Sequence, residues 1–455
     1  MSPKSLNRRN FLGVLATGLC AAPWLRAEVS SARVATFVCD ITPPLGTPIY
    51  SSLKPLTVVE HPLLAKGIII EDDGGRSVLC ALDYCILCNS VHDLYRQRIA
   101  EAAGTSIDQV AVQTVHQHTA PVVDCDATRL LEQEMDISHF PSIASFEDPA
   151  SDIAAAVREA LNQLQPFDRI GMSQARVHQV ASNRRVPIGE GKVGFRASSC
   201  KDPDFIAKPE GLIDPFLKTV TFSKGDKALA QLHYYATHPQ SFYGDSRASY
   251  DFVGMARERL QQEEQVFQLY FTGCSGDVAA GKYNDASPEA REGLYERLYA
   301  AMKESVAAVA YEPAQKALWR STQLSFKLRN DERYNMARSA QALKDPNKTP
   351  LEHLTEAMFL SWAHRIEKPL DLTMMRLGNV VFVHLPGEPM VEFQHYAQAL
   401  LPDAFVVVAA YGDGGPAYIC PDRVYAEGGY EAGASHTAPG ADQQLREAIK
   451  TLMTG

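Results

Sequence analysis

Apolar residues in this chain fall in short runs that alternate with helical spacing. Residues 32–41 form a strand candidate. It closes in Asp40-Ile41-Thr42-Pro43-Pro44-Leu45-Gly46, a turn by its Pro and Gly content. Residues 78–83 form a second apolar strand. Residues 90–103 carry helical spacing with Gly104 as a cap, and 109–115 return to strand. This β-α-β order predicts α/β architecture. Further along, 150–164 read as an amphipathic helix. Residues 186–216, rich in Gly, Pro, Lys and Asp, read as a long surface loop. Strands are expected at 229–235, 266–272 and 380–384. Helices are expected at 252–262, 288–310, 390–401 and 440–453, and across 330–366 with a break at 344–347. The sum is one large α/β domain, a layered mixed β-sheet core flanked by helices, over residues 32–454.

Polar residues able to bind a ligand recur at or just after strand ends: Asp83, His116, His118, His238, Asp277 and Glu388. Such residues, distant in sequence, can meet at one rim of a sheet. The most pointed stretch is Thr114-Val115-His116-Gln117-His118-Thr119-Ala120-Pro121. Strand alternation would put His116 and His118 on one face. Two converging imidazoles suit a metal or acid/base chemistry. Taken singly, each residue also has a plain reading. The histidines can be hydrogen-bonded strand ends. Glu388 can be an acid at a helix start, Tyr418 core, Arg184-Arg185 a solvated pair, and Asp277 a turn residue.

At 455 residues, with 45% hydrophobic and 22% charged content, the chain is an ordinary globular protein with room for a large core. Its net charge of −10 does not suit nucleic acid, which calls for a basic face. Asn7-Arg8-Arg9-Asn10-Phe11-Leu12 opens an apolar run to Ala22, the layout of a twin-arginine export signal. Cleavage near Ala22 or Ala27 is expected, giving a periplasmic or extracellular protein exported in the folded state. Losing residues 1–27 removes four basic residues and no acid, which moves the charge from −10 to −14. No later apolar run approaches the roughly 20 residues of a spanning helix. Cys85-Ile86-Leu87-Cys88 has redox-motif spacing in an apolar setting, which favours buried thiols or a structural disulfide.

The ordered set His116-Gln117-His118-Thr119-Ala120-Pro121, Asn183-Arg184, His238-Pro239, Gly276-Asp277-Val278, Pro386-Gly387-Glu388, Tyr418 and Tyr430-Glu431-Ala432 resembles the catalytic domain of neutral ceramidases. That family's motifs read His-Thr-His-Ser-Gly-Pro near the start and Tyr-Glu-Ala-Ala-Ser at the end. The twelve-residue spacing of its two tyrosines is kept by Tyr418 and Tyr430. The resemblance spans about residues 35–450. It implies a zinc ion (Zn2+) held by His116, His238, Glu388 and Tyr418, with His118, Arg184 and Tyr430 around it in catalytic roles. Zinc lowers the pKa of water towards about 7 and polarises an amide carbonyl. Arg184 and Tyr430 would then face the oxyanion, and His118 would carry a proton to the leaving amine. The implied substrate is an N-acyl compound, a ceramide-like lipid.

The chain also departs from that family. Its Gly-Asp-Val-Ser reads Gly276-Asp277-Val278-Ala279 here, so no hydroxyl stands at the serine position. A water mechanism survives that loss; a serine nucleophile does not. The family's further C-terminal β-sandwich domain is not expected after residue 454. These departures leave two alternatives beside a zinc amidase on ceramide-like lipids. One is a zinc hydrolase on a different N-acyl or ester substrate. The other is a non-catalytic, metal-binding envelope protein.

Overall fold

Side-chain alternation along Gly75–Leu82 explains the layering. Val78, Cys80 and Leu82 enter one apolar core, while Leu79 and Ala81 enter another on the opposite face. The same alternation divides Val380–His384, where Val380 and Phe382 face one core and Val381 and Val383 the other. Strands that bury both faces carry no polar side, so they read as continuous apolar runs. The computed structural model describes residues 32–49, 53–138, 140–242 and 244–455. The twin-arginine segment lies outside them.

Three sheets of four or five strands dominate the described residues, beside several two-stranded pairs. The first runs Gln165–Pro166, Arg33–Asp40, Leu64–Asp72, Gly75–Leu82, Val110–Thr114. The second runs Phe267–Thr272, Lys227–Tyr235, Phe216–Lys224, Arg169–Arg176, Ala310–Pro313. The third runs Ala317–Leu324, Leu370–Leu377, Val380–His384, Phe405–Ala409. Each is antiparallel apart from one parallel pair: Val78 beside Val110, Ala230 beside Phe267, Val380 beside Phe405. Parallel neighbours need a crossover, and a helix supplies it each time: Asn89–Ala103, Asp251–Glu264 and Val391–Leu400. Leu79, Leu232 and Phe382, one from each sheet, share the central core. Helices cover the outer faces, among them Ala144–Ala160 on the first sheet and Ala441–Thr454 on the third.

The layered α/β domain expected from the sequence is therefore present, and most expected elements fall within a few residues of their positions. The break at 344–347 separates the helices Met336–Ala342 and Pro350–His364, the second opened by a capping box of Thr349 and Glu352. The expected long loop at 186–216 is partly structured instead. Arg185–Gly189 and Lys192–Phe195 form a hairpin, and Pro203–Ala207 a short helix. Glu190 and Gly191 at its tip both take positive φ, which a tight hairpin turn requires. Cys85 and Cys88 are buried free thiols. No helix among the described residues is long and apolar enough to cross a membrane.

Candidate metal centre

Each sheet delivers one member of a buried triad. His116 lies two residues past Val110–Thr114, His238 follows Lys227–Tyr235, and Glu388 follows Val380–His384. Strand alternation does not orient His116, because it stands beyond the strand with φ at 69°. A turn, not the pleat, brings His116 and His118 together, with ring centroids 5.0 Å apart. Gly387 provides the turn before Glu388 at φ 61°; a Cβ there would meet the Ala417 carbonyl at 2.8 Å. Glu388–Pro389 then pairs with Tyr418–Ile419, and the register sets Glu388 directly beside Tyr418. His238 is anchored by a bridge to Ala279 and by its own N–H on the Val278 carbonyl.

Both candidate ligand histidines are locked from behind. His116 Nδ1 lies 2.7 Å from the Cys85 carbonyl, and His238 Nδ1 lies 2.7 Å from the Ser275 carbonyl. A carbonyl only accepts, so each Nδ1 carries the proton and each Nε2 presents a lone pair. Those two lone pairs face one carboxylate oxygen, Glu388 Oε2, at 3.2 and 3.3 Å. Neither His116 Nε2 nor Glu388 Oε2 has a hydrogen-bond partner. The three ligand atoms lie within 4.8 Å of one another, and all three residues are buried. Acceptors aimed at acceptors in a buried site repel unless a cation stands between them. Two imidazoles and a carboxylate are the donor set of a borderline divalent ion such as zinc. Tyr418 Oη, 3.5 Å from His238 Nε2, is placed as a further oxygen.

Charges around the triad follow from burial. Burial works to raise the Glu388 carboxyl, but the His116 and His238 rings, when protonated, hold it well below the usual carboxylate range. Burial and the neighbouring Arg184 push His238 down to about 4, against the pull of Glu388. His118 is pushed well below its ordinary value by burial and by the two neighbouring imidazoles. Burial raises the Tyr418 phenol well above its ordinary value, with Arg184 opposing.

The remaining expected residues divide into two groups. His118 and Tyr430 line a cavity of about 450 Å³ that opens over His116, Glu388 and Tyr418. Arg184 does not line it. Its guanidinium is buried, 5.5 Å from the ring centroids of both Tyr418 and Tyr430, with Nε 3.3 Å from Glu431 and an N–H donated to the Gly276 carbonyl. Asp277 is structural: it accepts from Asn183 at 2.7 Å and from the Val391 N–H at 2.8 Å, at the start of the helix Val391–Leu400. Asp83 is taken up by a two-pronged pair with Arg257, both contacts at 2.9 Å. Ala279 is fully buried between Ser182 and His238.

Two residues around the site were not singled out from the sequence. Tyr411 stacks on His116 with centroids 4.1 Å apart, and its hydroxyl bonds Ser275 Oγ at 2.7 Å. Glu431 ties Arg184 and Arg185 together. Glu431 stood inside a quoted motif and could have been singled out. Tyr411 follows an apolar strand and looks like core.

No family model matches the chain, and no curated protein is similar to it in sequence. Solved structures are similar in fold. The crystal structure of neutral ceramidase from Pseudomonas aeruginosa matches with a TM-score of 0.69 at 17% identity, over 93% of this chain and 74% of that one. A ceramidase complexed with C2 matches with a TM-score of 0.68 at 16% identity, over 93% and 75%. The chain thus has the neutral ceramidase fold across nearly its whole length.

Proposed function

We propose that this chain is an exported zinc-dependent hydrolase that cleaves the amide bond of an N-acyl substrate, a ceramide-like lipid in the first instance. The observation that carries the proposal is the convergence of two imidazole Nε2 atoms on one buried carboxylate oxygen, at 3.2 and 3.3 Å. The shared fold with neutral ceramidases and the ordered motifs support the same reading.

Zinc held by His116, His238 and Glu388, with Tyr418 as a fourth donor, would supply Lewis acidity for a water and for the amide carbonyl. The chain's own residues do the rest. The Cys85 and Ser275 carbonyls hold the two imidazoles in the tautomer that leaves Nε2 free. His118, neutral at pH 7, takes a proton from water and passes it to the leaving amine. Tyr430, on the cavity wall, offers its hydroxyl to the carbonyl oxygen as charge builds there. Arg184 serves through Tyr418, which its charge orients and acidifies. Ala279 excludes a serine nucleophile at the family position. Ser275 is no substitute, since its hydroxyl is engaged by Tyr411.

The test is elemental analysis of wild type and His238→Ala side by side. One zinc per wild-type chain, lost in the variant along with turnover of N-acyl substrates, is the expected result. A folded wild type that takes up no metal when zinc is offered overturns it. Ala279 favours a second reading, a non-catalytic protein that keeps the metal site; failure of a broad amide and ester panel with metal bound would support it. Export is proposed on the Arg8-Arg9 segment and is checked by fractionating cells that express the Arg8→Lys, Arg9→Lys variant, which should retain the protein inside.

A further inference from the structure

The cavity over the triad has an apolar wall. Leu351, Leu354 and Met358 stand on one face of the helix Pro350–His364, and Ile86 adds to them. Arg333 lines the same cavity. Apart from Glu388, which belongs to the metal cradle, it is the one charged side chain among the described residues that line it. Its side chain is 43% exposed and lies 3.6 Å from Glu356. Glu356 is already shared: it accepts from Arg338 at 3.1 Å and from Ser339 at 2.7 Å. Asp331, close in sequence, is bound by Arg329 at 2.6 Å. Two guanidinium groups thus share one carboxylate, and that of Arg333 is the more distant of the two. Leu351 is 40% exposed, whereas His116 and Glu388 on the same cavity are buried.

From this we infer that the amine half of the substrate is an amino acid with an apolar side chain. Its side chain lies against Leu354 and Met358, and its carboxylate meets Arg333. The preferred substrate is then an N-acyl amino acid and not a neutral acyl amide. The inference rests on the amide-hydrolase reading above. The reaction is hydrolysis: the water oxygen bonds the acyl carbon, the carbon–nitrogen bond breaks, and the proton from water goes to the leaving amine. Guanidinium is the natural partner of a carboxylate because its paired N–H groups match the two oxygens.

The experiment compares N-octanoyl-leucine with N-octanoyl-isoamylamine, which lacks only the carboxylate, on zinc-loaded wild type and Arg333→Gln. Wild type should favour the leucine compound in kcat/KM by about tenfold or more. Arg333→Gln should lose that preference while cleaving the neutral amide unchanged, and Arg333→Lys should restore part of it. Equal turnover of the two amides by wild type, or a preference that survives in Arg333→Gln, overturns the inference. Calorimetric binding of the uncleavable N-octylsulfonyl-leucine runs in parallel. Failure to cleave either amide counts against the hydrolase reading. Binding then decides the site: about tenfold weaker binding to Arg333→Gln upholds it, and equal binding overturns it.

Discussion

His116 adopts a left-handed backbone conformation that costs a non-glycine residue on the order of 1 kcal/mol. The gain is direction: the ring turns away from the strand's alternation and onto Glu388. Close backbone approach at Gly276 does similar work. A Cβ on Gly276 would stand 2.4 Å from the Glu388 carbonyl oxygen and 3.1 Å from that of Pro389. Gly276→Ala is therefore expected to push the Glu388 segment outward. Stability should fall by about 1–3 kcal/mol and zinc affinity should weaken; thermal melts and a zinc titration read both. A variant that binds zinc as wild type does would show that this approach is not needed. The sequence made much of this scale legible, since His116, His238, Glu388 and Tyr418 all stood in ordered motifs. Tyr411 was not legible. Nothing in an apolar run ending in Ala410-Tyr411 tells a ring stacked on a ligand from an ordinary core tyrosine.

Elements show where pattern reading succeeds and fails. Strands with an uninterrupted apolar run, such as Val380–His384, declared themselves. Leu64–Asp72 did not, because Lys66 and Gly67 interrupt it; Lys66 is buried there against Glu258 and Gln261 at 2.8 and 2.9 Å. The second sheet carries a buried polar chain from Ser305 to Thr219 to His233 to Gln268. His233 donates from Nε2 to Gln268, and its Nδ1 lies 2.9 Å from the Thr219 hydroxyl. Burial pushes His233 down to about 4, and does the same to His384 on the third sheet. The unfolded chain binds these protons near pH 6.5. Between about 6.5 and 4 it therefore holds more protons than the folded chain, and stability drops as pH falls through that window. Each histidine accounts for about 3 kcal/mol over the whole range, as an order of magnitude. Urea midpoints of the zinc-free protein from pH 7 to 4 should fall, and His233→Gln should flatten the profile. An unchanged slope in that variant would assign the acid sensitivity elsewhere.

At the scale of the whole molecule, the proposed metal ligands join three sheets that also share an apolar core and are tied by hydrogen bonds, Thr272 donating to the Val115 carbonyl, Gln113 to that of Ala409 and Lys218 to that of Val406. An ion that binds only the folded chain stabilises it by mass action, by about 4 kcal/mol at a thousandfold excess over its dissociation constant. Chelation is therefore expected to lower the melting temperature by several degrees, and added zinc to restore it. A melt indifferent to chelator would mean the triad carries no ion. The overall α/β class was readable from the order of strands and helices. The meeting of three sheets was not, because it depends on pairings such as Glu388 with Tyr418 that are only two residues long.

One consequence follows from the placing of one ligand on each sheet. A chain still emerging from the ribosome holds His116 and His238 long before Glu388 exists, so a partly made molecule has no complete cradle. Under the proposed function, hydrolytic power arrives only with the third sheet. On the proposed export route, the metal then acts as a certificate of completed folding issued before departure.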